Sequence, residues 1–276
     1  MTGDTATSVW FVTGAARGLG RSFVESALER GDRVAATDRG TGPLADLTAA
    51  YGEQLLVLPL DVTDRAAALD TVNKAHAHFG RLDVVVNNAG YGQLGMVEEL
   101  TDTEIRDVFE TNFHGVLSIT RAALPLLRAQ GGGHIVQISS IAGILGIPGG
   151  GAYAASKWAM EGMSEALAAE VAGQNIKVTI VEPGGFATDG PGVSARHAEP
   201  NPLYDDVRTA LAANMDLTTM GDPKAAGPAL LKIVDAENPP LRVLFGTPPV
   251  QMIKDHYARK LATWAEWEHV SHAAHG

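Results

Sequence analysis

Near the start of the chain stands the sequence VWFVTGAARGLG (residues 9–20), in which a short, mostly apolar run leads directly into a turn with three glycines. The run is typical of a buried strand, and the residues from Leu19 onward follow a helical pattern. Glycines at such a junction let the backbone approach a pyrophosphate at the positive N-terminus of the helix. The stretch therefore predicts a dinucleotide-binding turn, although an ordinary strand–helix turn has the same composition. No Gly-Lys-Ser/Thr follows, so the turn is not a P-loop.

Strands and helices alternate along most of the chain beyond this unit. The predicted strands are Val9–Thr13, Arg33–Thr37, Leu55–Pro59, Asp83–Asn87, Gly133–Ser139, Lys177–Glu182 and Arg242–Phe245. The main predicted helices are Leu19–Arg30, Thr63–Phe79, Thr103–Ala129, Tyr153–Ala172, Tyr204–Met215 and Pro249–Val270. The strands are continuous apolar runs, as expected where helices cover both faces of a sheet. We therefore expect one α/β domain, residues 1–276, with a doubly wound, mostly parallel sheet of about seven strands.

The composition excludes several classes of protein. The 276 residues include 21 Lys+Arg and 32 Asp+Glu, a net charge of −11 that disfavours nucleic acid or an anionic membrane as partner. The absence of cysteine excludes disulfides, a thiolate nucleophile and a cysteine zinc site. Because the chain has neither a secretory leader nor an apolar run of membrane-spanning length, we expect a soluble, cytoplasmic protein.

Two carboxylates stand at the ends of the second and third predicted strands. Asp38 lies where a carboxylate would accept hydrogen bonds from an adenosine ribose diol, although Asp38-Arg39-Gly40 would also suit an exposed turn. Asp61, followed by Val62, could hold the adenine edge or cap the helix that begins near Asp64.

A phenol and an ammonium lie one helical turn apart in Tyr153-Ala154-Ala155-Ser156-Lys157. This spacing also occurs on ordinary helix surfaces, so the pair alone identifies no site. Thirteen residues before Tyr153 stands Ser140, at the carboxyl edge of the sheet, where ligands bind in such folds. Asn112 lies inside a predicted helix although Asn is a poor helix former, so it is either a tolerated surface residue or retained for a polar role.

Four motifs in consistent order and spacing make the chain resemble the short-chain dehydrogenase/reductase family from Val9 to about Thr188. They are Thr13-Gly14-x3-Gly18-x-Gly20, Asn87-Asn88-Ala89-Gly90, Ser140 with Tyr153-x3-Lys157, and Pro183-Gly184. The resemblance implies a Rossmann-like fold, an NAD(P)-dependent oxidoreductase and a homodimer or homotetramer. It implies no metal, since the hydride chemistry belongs to the cofactor.

The resemblance also implies a role for each matched catalytic residue. Tyr153 would be the general acid in reduction and the general base in oxidation, and Lys157 would lower the pKa of its phenol and bind the nicotinamide ribose. Ser140 would polarise the substrate carbonyl, and Asn112 would hold a water joining Lys157 to a proton relay. Because a phenol has a pKa of about 10, lowering it by ~2–3 units requires about 3–4 kcal/mol of preferential stabilisation of the phenolate.

Cofactor contacts are implied along the whole matched region. The expected cofactor-binding residues are Gly14, Arg17, Gly18, Leu19, Gly20, Asp38, Arg39, Asp61, Val62, Asn88, Ala89, Gly90, Tyr153, Lys157, Pro183, Gly184, Phe186 and Thr188. Phe186 departs from the family, which more often has a smaller aliphatic residue there.

The charged residues near the second strand favour different cofactors. Asp38 would repel a 2′-phosphate, by roughly 4 kcal/mol for unit charges at about 4 Å and an effective dielectric near 20. Arg17 and Arg39 stand where the family often places the basic residues that bind this phosphate, but Arg17 could also pair with Asp38 or the pyrophosphate. We expect NAD to be preferred, with NADP possible.

A long irregular segment, Gly184–Met215, follows the sixth strand. We predict a lid at about residues 184–215 that closes over the site, with an apolar underside of Phe186, Leu203, Leu211 and Met215. Its polar middle contains Ser194, Arg196, His197 and Glu199. The alternative is a permanently ordered loop packed on a neighbouring subunit. A C-terminal helix is expected at about residues 249–270, with a frayed tail at His272–Gly276.

The segments expected beside the substrate, Tyr91–Met96 and Ile141–Pro148, contain no Arg or Lys. They favour an apolar secondary alcohol or ketone as substrate, and leave a 3-oxoacyl thioester reductase or a retinol-like dehydrogenase as alternatives. A non-catalytic cofactor sensor is a further alternative, which the complete set of catalytic residues disfavours. Trp158, Met160 and Met163 could lie in the helix-pair interface of family tetramers or in the core of the chain.

Overall fold

Seven parallel strands form the main sheet of the computed structural model, which describes residues 7–188, 195–213 and 217–276. In chain order they are β1 (Val9–Thr13), β2 (Arg33–Asp38), β3 (Leu55–Pro59), β4 (Val84–Asn87), β6 (Gly133–Ile138), β7 (Ile176–Pro183) and β9 (Arg242–Phe245). Two short strands, β5 (Gly92–Leu94) and β8 (Ala195–His197), pair with each other outside this sheet. The spatial order is β3-β2-β1-β4-β6-β7-β9. The chain thus winds outward in one direction from β1 and in the other from β4, which opens a crevice at the carboxyl ends of these two strands.

Helices cover both faces of this sheet. They are α1 (Gly18–Arg30), α2 (Ala45–Tyr51), α3 (Arg65–Phe79), α4 (Asp102–Phe109), α5 (Val116–Ala129), α6 (Gly151–Val171), α7 (Asp205–Ala213), α8 (Ala226–Val234), α9 (Pro248–Glu266) and α10 (Glu268–His275). Along β1, Trp10 and Val12 join the core cluster on one face, whereas Val9 and Phe11 join the cluster on the other. Burial on both faces is the reason that the strand is a continuous apolar run. The predicted doubly wound fold is confirmed.

The predicted strands of the main sheet are each found within one residue at either end. The predicted helix Thr103–Ala129 is interrupted, because a π-helix at Glu110–Gly115 separates α4 from α5. The tail that was expected to fray is helical through His275. Four elements had no predicted counterpart, namely α2, β5, β8 and α8. Among the described residues, no helix combines the length and the apolar composition that crossing a membrane requires.

The described part of the predicted lid is held to the loop after β5. Strand β8 pairs in parallel with β5, and the carboxylate of Glu99 accepts hydrogen bonds from the N–H of Asn201 at 2.7 Å and the guanidinium of Arg208 at 2.6 Å. Arg208 foremost, with the Asn201 N–H, lowers the pKa of Glu99 to about 2. These polar contacts hold residues 195–213 to the loop after β5.

The predicted underside of the lid is wrong at Leu203, which is 83% exposed, and α7 buries no residue. Leu203 lies on a one-turn helix beside α7. Residues 189–194 and 214–216, which include Ser194 and Met215, lie outside the described residues. On α6, Met160 is buried in the core whereas Trp158 is 49% exposed.

Helix α8 packs against α1 at a point where only a glycine fits. A Cβ on Gly227 would overlap the hydroxyl of Ser26 and the carbonyl of Ser22, and the Gly227 N–H donates to the Ser22 hydroxyl at 3.0 Å. We expect Gly227→Ala to lower the free energy of unfolding by about 1–3 kcal/mol through overpacking.

The matched control is Gly162→Ala on the exposed side of α6, where a Cβ would meet no atom within 4 Å. This change should stabilise the helix by roughly 0.5–1 kcal/mol. Urea denaturation of both variants measures the difference. Equal effects of the two substitutions would contradict this account of the α1–α8 contact.

Candidate active site

The glycine turn after β1 is held by the side chain of Asn88. Its amide donates to the carbonyls of Thr13 at 3.0 Å and Gly14 at 2.9 Å. The Thr13 hydroxyl in turn accepts from the N–H groups of Asn88 and Ala89, both at 3.0 Å. The ends of β1 and β4 are therefore locked to each other, and their polar backbone groups have partners.

Different structural constraints require glycine at the three glycine positions of the turn. Gly14 and Gly18 have φ values of +64° and +55°, which L side chains rarely adopt. A Cβ on Gly14 would lie 2.9 Å from the Cα of Ala89, and a Cβ on Gly20 would overlap the Gly14 carbonyl and the Asn88 amide. Gly14 and Gly18 line the crevice, whereas Gly20 lies beneath the turn and lets α1 approach it.

Both predicted carboxylates reach the crevice. Asp38 accepts hydrogen bonds from the N–H of Ala16 at 3.2 Å and, more weakly, from that of Gly40 at 3.4 Å. Asp61 accepts from the N–H of Thr63 at 3.0 Å and from its hydroxyl at 2.7 Å. The cap of α3 is Asp64, which accepts from two N–H groups of the first turn, so the alternative role of Asp61 as that cap is wrong.

The phenol and the ammonium of α6 lie at the opposite wall, beside the end of β6. Ser140 and Tyr153 both line the crevice here, and the Ser140 hydroxyl oxygen accepts a hydrogen bond from the N–H of Ala142 at 3.1 Å. The Lys157 ammonium donates to the carbonyl of Ile138 at 2.8 Å and lies 5.8 Å from the centroid of the Tyr153 ring. Three of the four expected catalytic side chains are thus brought together.

Burial controls the ionisation of this pair. It raises the pKa of the Tyr153 phenol, an effect that the Ser140 side chain partly offsets. It lowers the pKa of Lys157 to about 8, against the opposing effect of the nearby Glu161 carboxylate. The expected lowering of the Tyr153 pKa by Lys157 is not found in this structure, because loss of solvent destabilises the phenolate and the ammonium bonds to Ile138 instead.

Asn112 lies in the π-helix and is fully buried. Its amide oxygen accepts from the N–H of Tyr91 at 3.0 Å, while its NH2 group donates to the Tyr91 carbonyl at 2.9 Å and the Ser156 hydroxyl at 3.0 Å. A Cβ on Gly90 would lie 3.0 Å from the Asn112 oxygen and 3.5 Å from the Lys157 nitrogen. Asn112 is therefore no surface residue: it joins the loop after β4 to α6 directly behind Lys157.

The residues after β7 close the end of the crevice beside α1. A Cβ on Gly18 would lie 3.1 Å from the Thr188 methyl group, so Thr188 lies beside the first turn of α1. Phe186 bridges to Gly221 and packs against the core. A Cβ on Gly221 would lie 2.8 Å from the Phe186 ring, and this glycine is what makes room for the large residue at position 186.

The crevice has a volume of about 830 Å³. Of the predicted site residues, Gly20 and Asn112 are the two that do not line it; each lies behind it. Lining residues that the sequence analysis did not assign to the site include Leu60, Thr63, Asp107, Glu110, Thr111, Ile138 and Met220. Glu110 and Thr111 adjoin Asn112 and could have been found from it, whereas Met220 has no sequence signal.

A charged group also stands at the crevice. The guanidinium of Arg196, from β8, stacks over the Tyr91 ring at 4.3 Å from its centroid and lies 3.8 Å from the Asp107 carboxylate. Arg196 and Tyr91 both line the crevice. From the segments Tyr91–Met96 and Ile141–Pro148, which contain no Arg or Lys, we expected an apolar surface beside the substrate. Arg196 adds a positive charge to this part of the crevice.

Comparisons with known proteins agree with this architecture. A sequence profile described as short chain dehydrogenase matches residues 8–197. The chain is 40% identical over 260 residues to oxidoreductase BOA17 of Botryotinia fuckeliana, with 93% of each chain covered. It is 42% identical to a short-chain dehydrogenase of Streptomyces avermitilis, whose crystal structure superposes with a TM-score of 0.91 over 98% of both chains.

Two further similar structures contain a nicotinamide cofactor. One is a short-chain dehydrogenase/reductase of Burkholderia phymatum in complex with NAD, at 25% identity and a TM-score of 0.78, covering 93% of this chain and 95% of that one. The other is from Burkholderia cenocepacia in complex with NADP, at 27% identity and a TM-score of 0.75, covering 94% and 97%. The chain belongs to the short-chain dehydrogenase/reductase family and is an oxidoreductase of the Rossmann-like α/β class.

The Asn88 amide gives a prediction that is independent of activity. Asn88→Ala removes the partners of the Thr13 and Gly14 carbonyls, and we expect a loss of about 1–3 kcal/mol in the free energy of unfolding. Asn73→Ala, on the exposed face of α3, is the control and should change stability by less than about 0.5 kcal/mol. Thermal and urea unfolding of both variants measure the effect, and a neutral Asn88→Ala would show that the amide does not hold the turn.

Proposed function

We propose that the protein is an NAD-preferring oxidoreductase that interconverts a secondary alcohol and a ketone by hydride transfer. The observation that carries the proposal is the cluster of Ser140, Tyr153 and Lys157 at one wall of the crevice, with the glycine turn and Asp38 at the other. A cofactor site and an acid–base group therefore face one cavity. No feature of the proposal needs a metal.

The turn after β1 fits a dinucleotide. Gly14 and Gly18 combine positive φ with exposure to the crevice, and no side chain caps the N-terminus of α1. Its first N–H groups suit a pyrophosphate, whose charge the helix dipole stabilises. When bound, the nicotinamide cofactor supplies or accepts the hydride.

The residues of the chain manage the proton and the orientation of the substrate. In reduction, the Tyr153 phenol would give its proton to the carbonyl oxygen, and in oxidation it would take the proton of the alcohol. The Ser140 hydroxyl, which lines the same crevice as the phenol, would donate to the same substrate oxygen. Lys157 would stabilise the phenolate and bind the nicotinamide ribose, while Asn112 would link Lys157 to a proton relay.

The choice of cofactor depends on Asp38. Its carboxylate lies beside the turn at the end of β2, where it suits the two hydroxyls of the adenosine ribose and opposes a 2′-phosphate. Arg17 and Arg39 also line the crevice and could hold that phosphate, so NADP is a possible second cofactor.

The proposed substrate is a largely apolar ketone or secondary alcohol. Ile138, Phe186 and Met220 supply apolar surface next to the catalytic wall. Arg196 favours a second candidate, a 3-oxoacyl thioester reductase, because acyl thioester carriers bear phosphate groups that a guanidinium would bind. A screen of neutral ketones against 3-oxoacyl thioesters separates the two candidates by catalytic efficiency.

The direct test of the catalytic assignment is Tyr153→Phe. The change removes only the transferable proton, so we expect turnover to fall by at least about 100-fold while cofactor affinity stays nearly unchanged. Tyr51→Phe, which removes a hydroxyl on α2 away from the crevice, is the control and should keep full activity. A Tyr153→Phe variant with a tenth or more of the wild-type rate would disprove the assignment.

Replacing Lys157 with Ala should weaken both turnover and cofactor binding, because the proposal gives the ammonium two roles. Cofactor titration by fluorescence measures the second role separately. Normal cofactor affinity of this variant would show that Lys157 does not bind the nicotinamide ribose.

Asp38→Ala should shift the preference towards NADP, because the repulsion of a 2′-phosphate is lost while Arg17 and Arg39 stay in place. The ratio of kcat/KM values for the two reduced cofactors reports this shift. Asp70→Ala, on the exposed face of α3, is the charge control. An unchanged ratio in Asp38→Ala would show that Asp38 does not bind the ribose.

The segment 195–213 is also proposed to act as part of a lid. In this structure β8 and Glu99 hold it to the substrate side of the crevice, so a bound cofactor and substrate would stabilise an arrangement that already exists. Amide hydrogen exchange of this segment should slow when both are added. Equal protection with and without them would eliminate the lid.

A further inference from the structure

The C-terminal helices project from the body of the protein. Helix α9 buries Pro249 and Ile253 near its start, but from Tyr257 to Gly276 every residue is exposed. The exposed residues include Leu261 at 58%, Trp264 at 59% and Trp267 at 57%. No described segment of the chain covers this part of α9 or any of α10.

Such a helix needs a covering surface to be stable. The projecting part of α9 and the eight residues of α10 are each shorter than the roughly 12–15 residues at which isolated helices become even marginally stable in water. The apolar residues also follow one regular spacing. Val250, Ile253, Tyr257, Leu261 and Trp264 are separated by 3, 4, 4 and 3 residues, which is the 3.5-residue average of a helix-pairing seam.

The charges along this seam are arranged so that the helix complements itself. Its first part carries Lys254, Asp255, Arg259 and Lys260 and is positive overall, whereas its end carries Glu266 and Glu268. One residue separates helix α10 from the end of α9. In an antiparallel pair with Leu261 opposite its counterpart and α10 following the direction of α9, Lys254 of one copy faces Glu268 of the other. The same register places Tyr257 opposite Ala265 and Trp264 opposite Ala258, so large side chains meet small ones.

We propose that this seam pairs two copies of the chain, with their C-terminal helices antiparallel about a two-fold axis at Leu261. A second copy fits better than an anionic lipid surface, since Glu266, Glu268 and the net charge of −11 oppose such lipids. No residue of the seam lines the crevice.

Sedimentation velocity over a range of protein concentrations tests the pairing. The wild-type protein should self-associate, and Leu261→Glu should raise the dissociation constant of one association step at least about tenfold, because two carboxylates meet at the axis. Leu69→Glu, at a 52% exposed leucine of α3, is the matched control and should leave the assembly unchanged. Lys254→Glu should weaken the assembly, and adding Glu268→Lys should restore it.

A wild-type monomer would overturn the proposal, as would an assembly whose mass Leu261→Glu leaves unchanged. Binding of a monomeric wild-type protein to phosphatidylglycerol vesicles would overturn it in favour of a lipid surface. Circular dichroism shows whether each variant remains folded. If Leu261→Glu does not fold, the charge-reversal pair Lys254→Glu and Glu268→Lys still tests the proposal.

A second inference concerns a buried carboxylate behind the catalytic wall. Glu161 lies one helical turn beyond Lys157 on α6 and is only 3% exposed. It accepts a hydrogen bond from the Ser139 hydroxyl at 2.5 Å and forms an ion pair with Arg242 of β9. Arg242 also pairs with Glu182 at 3.0 Å and with the exposed Glu165 at 2.8 Å.

The catalytic loop is built directly over this carboxylate. A Cβ on Gly143 would overlap both the Glu161 carboxylate and the Ser139 hydroxyl, so the loop that begins at Ser140 has no room to shift inward. The negative charge of Glu161 also favours the ammonium form of Lys157. One side chain thus contacts the strand end before Ser140, packs beneath its loop and acts electrostatically on Lys157.

We infer that Glu161 is a positioning residue of the proposed reaction, which sets the place of Ser140 through Ser139 and keeps Lys157 charged. The inference rests on the proposed function. The charged groups around Glu161 are Lys157 on its own helix, Glu182 on β7, and Arg242 on β9 with its exposed partner Glu165.

The test compares three variants by the pH profile of kcat and by cofactor affinity. Glu161→Gln keeps an acceptor for Ser139 but loses the charge, so the alkaline limb of its profile should move to lower pH by at least about half a unit. Glu161→Ala should lower kcat at least about tenfold with cofactor affinity within about threefold of wild type. Glu165→Gln removes only the exposed partner of Arg242 and should match the wild type.

Identical kcat values and pH profiles for all four proteins would overturn this inference alone, since the wild-type turnover would still stand. Absence of turnover in the wild type against ketones, secondary alcohols and 3-oxoacyl thioesters would contradict the proposed function itself. A merely structural Glu161 would lower the folded fraction without moving the pH profile, and this result also counts against positioning.

Discussion

The hydrogen bonds of the Asn88 amide to the carbonyls of Thr13 and Gly14 are the interaction on which the crevice depends. Strands β1 and β4 are neighbours whose following segments wind in opposite directions, and this amide, which follows β4, bonds the two carbonyls at the end of β1. One side chain supplies both partners. Because it leaves no room for a Cβ at Gly20, it also limits how closely α1 approaches, and Gly18 and Leu19 of the first turn of α1 line the crevice.

The opposite wall is governed by the burial of charge. Lys157 is placed in an environment that lowers its pKa to about 8, and burial with the nearby Glu161 raises the pKa of Glu182 to about 7. Buried charges persist where opposite charges and hydrogen bonds surround them. Here Arg242 of β9 forms ion pairs with Glu161 of α6 and Glu182 of β7. The proposed catalytic wall therefore combines a costly buried ammonium with the Glu161 carboxylate that favours its charged form.

The features that the sequence predicted well are local. The glycine turn occupies one strand–turn–helix unit, and Tyr153 and Lys157 are one helical turn apart, so their spacing alone indicates their geometry. The surroundings of Asn112 could not be predicted in this way. They depend on a π-helix whose side chain bonds Tyr91 and Ser156, residues distant along the chain.

Long-range pairing and burial explain the other differences. Strands β5 and β8 have three residues each and pair across about a hundred residues, too short a pattern for any periodicity to show. The apolar character of Leu203 did not reveal that its side chain is largely exposed in this structure. The upward shift of the Tyr153 pKa is caused by loss of solvent around the phenol, and the Tyr-x3-Lys spacing gives no information about these surroundings.

The central claim is that the crevice brings a nicotinamide cofactor and a carbonyl substrate together for direct hydride transfer. The most direct measurement is to incubate the protein with reduced nicotinamide cofactor carrying deuterium at the transferable position of C4, together with a panel of ketones and 3-oxoacyl thioesters, and to analyse the alcohols by mass spectrometry. The account predicts deuterium on the carbinol carbon of at least one product in the wild-type protein and none with Tyr153→Phe. Unlabelled alcohol, or equal labelling by the two proteins, would contradict it.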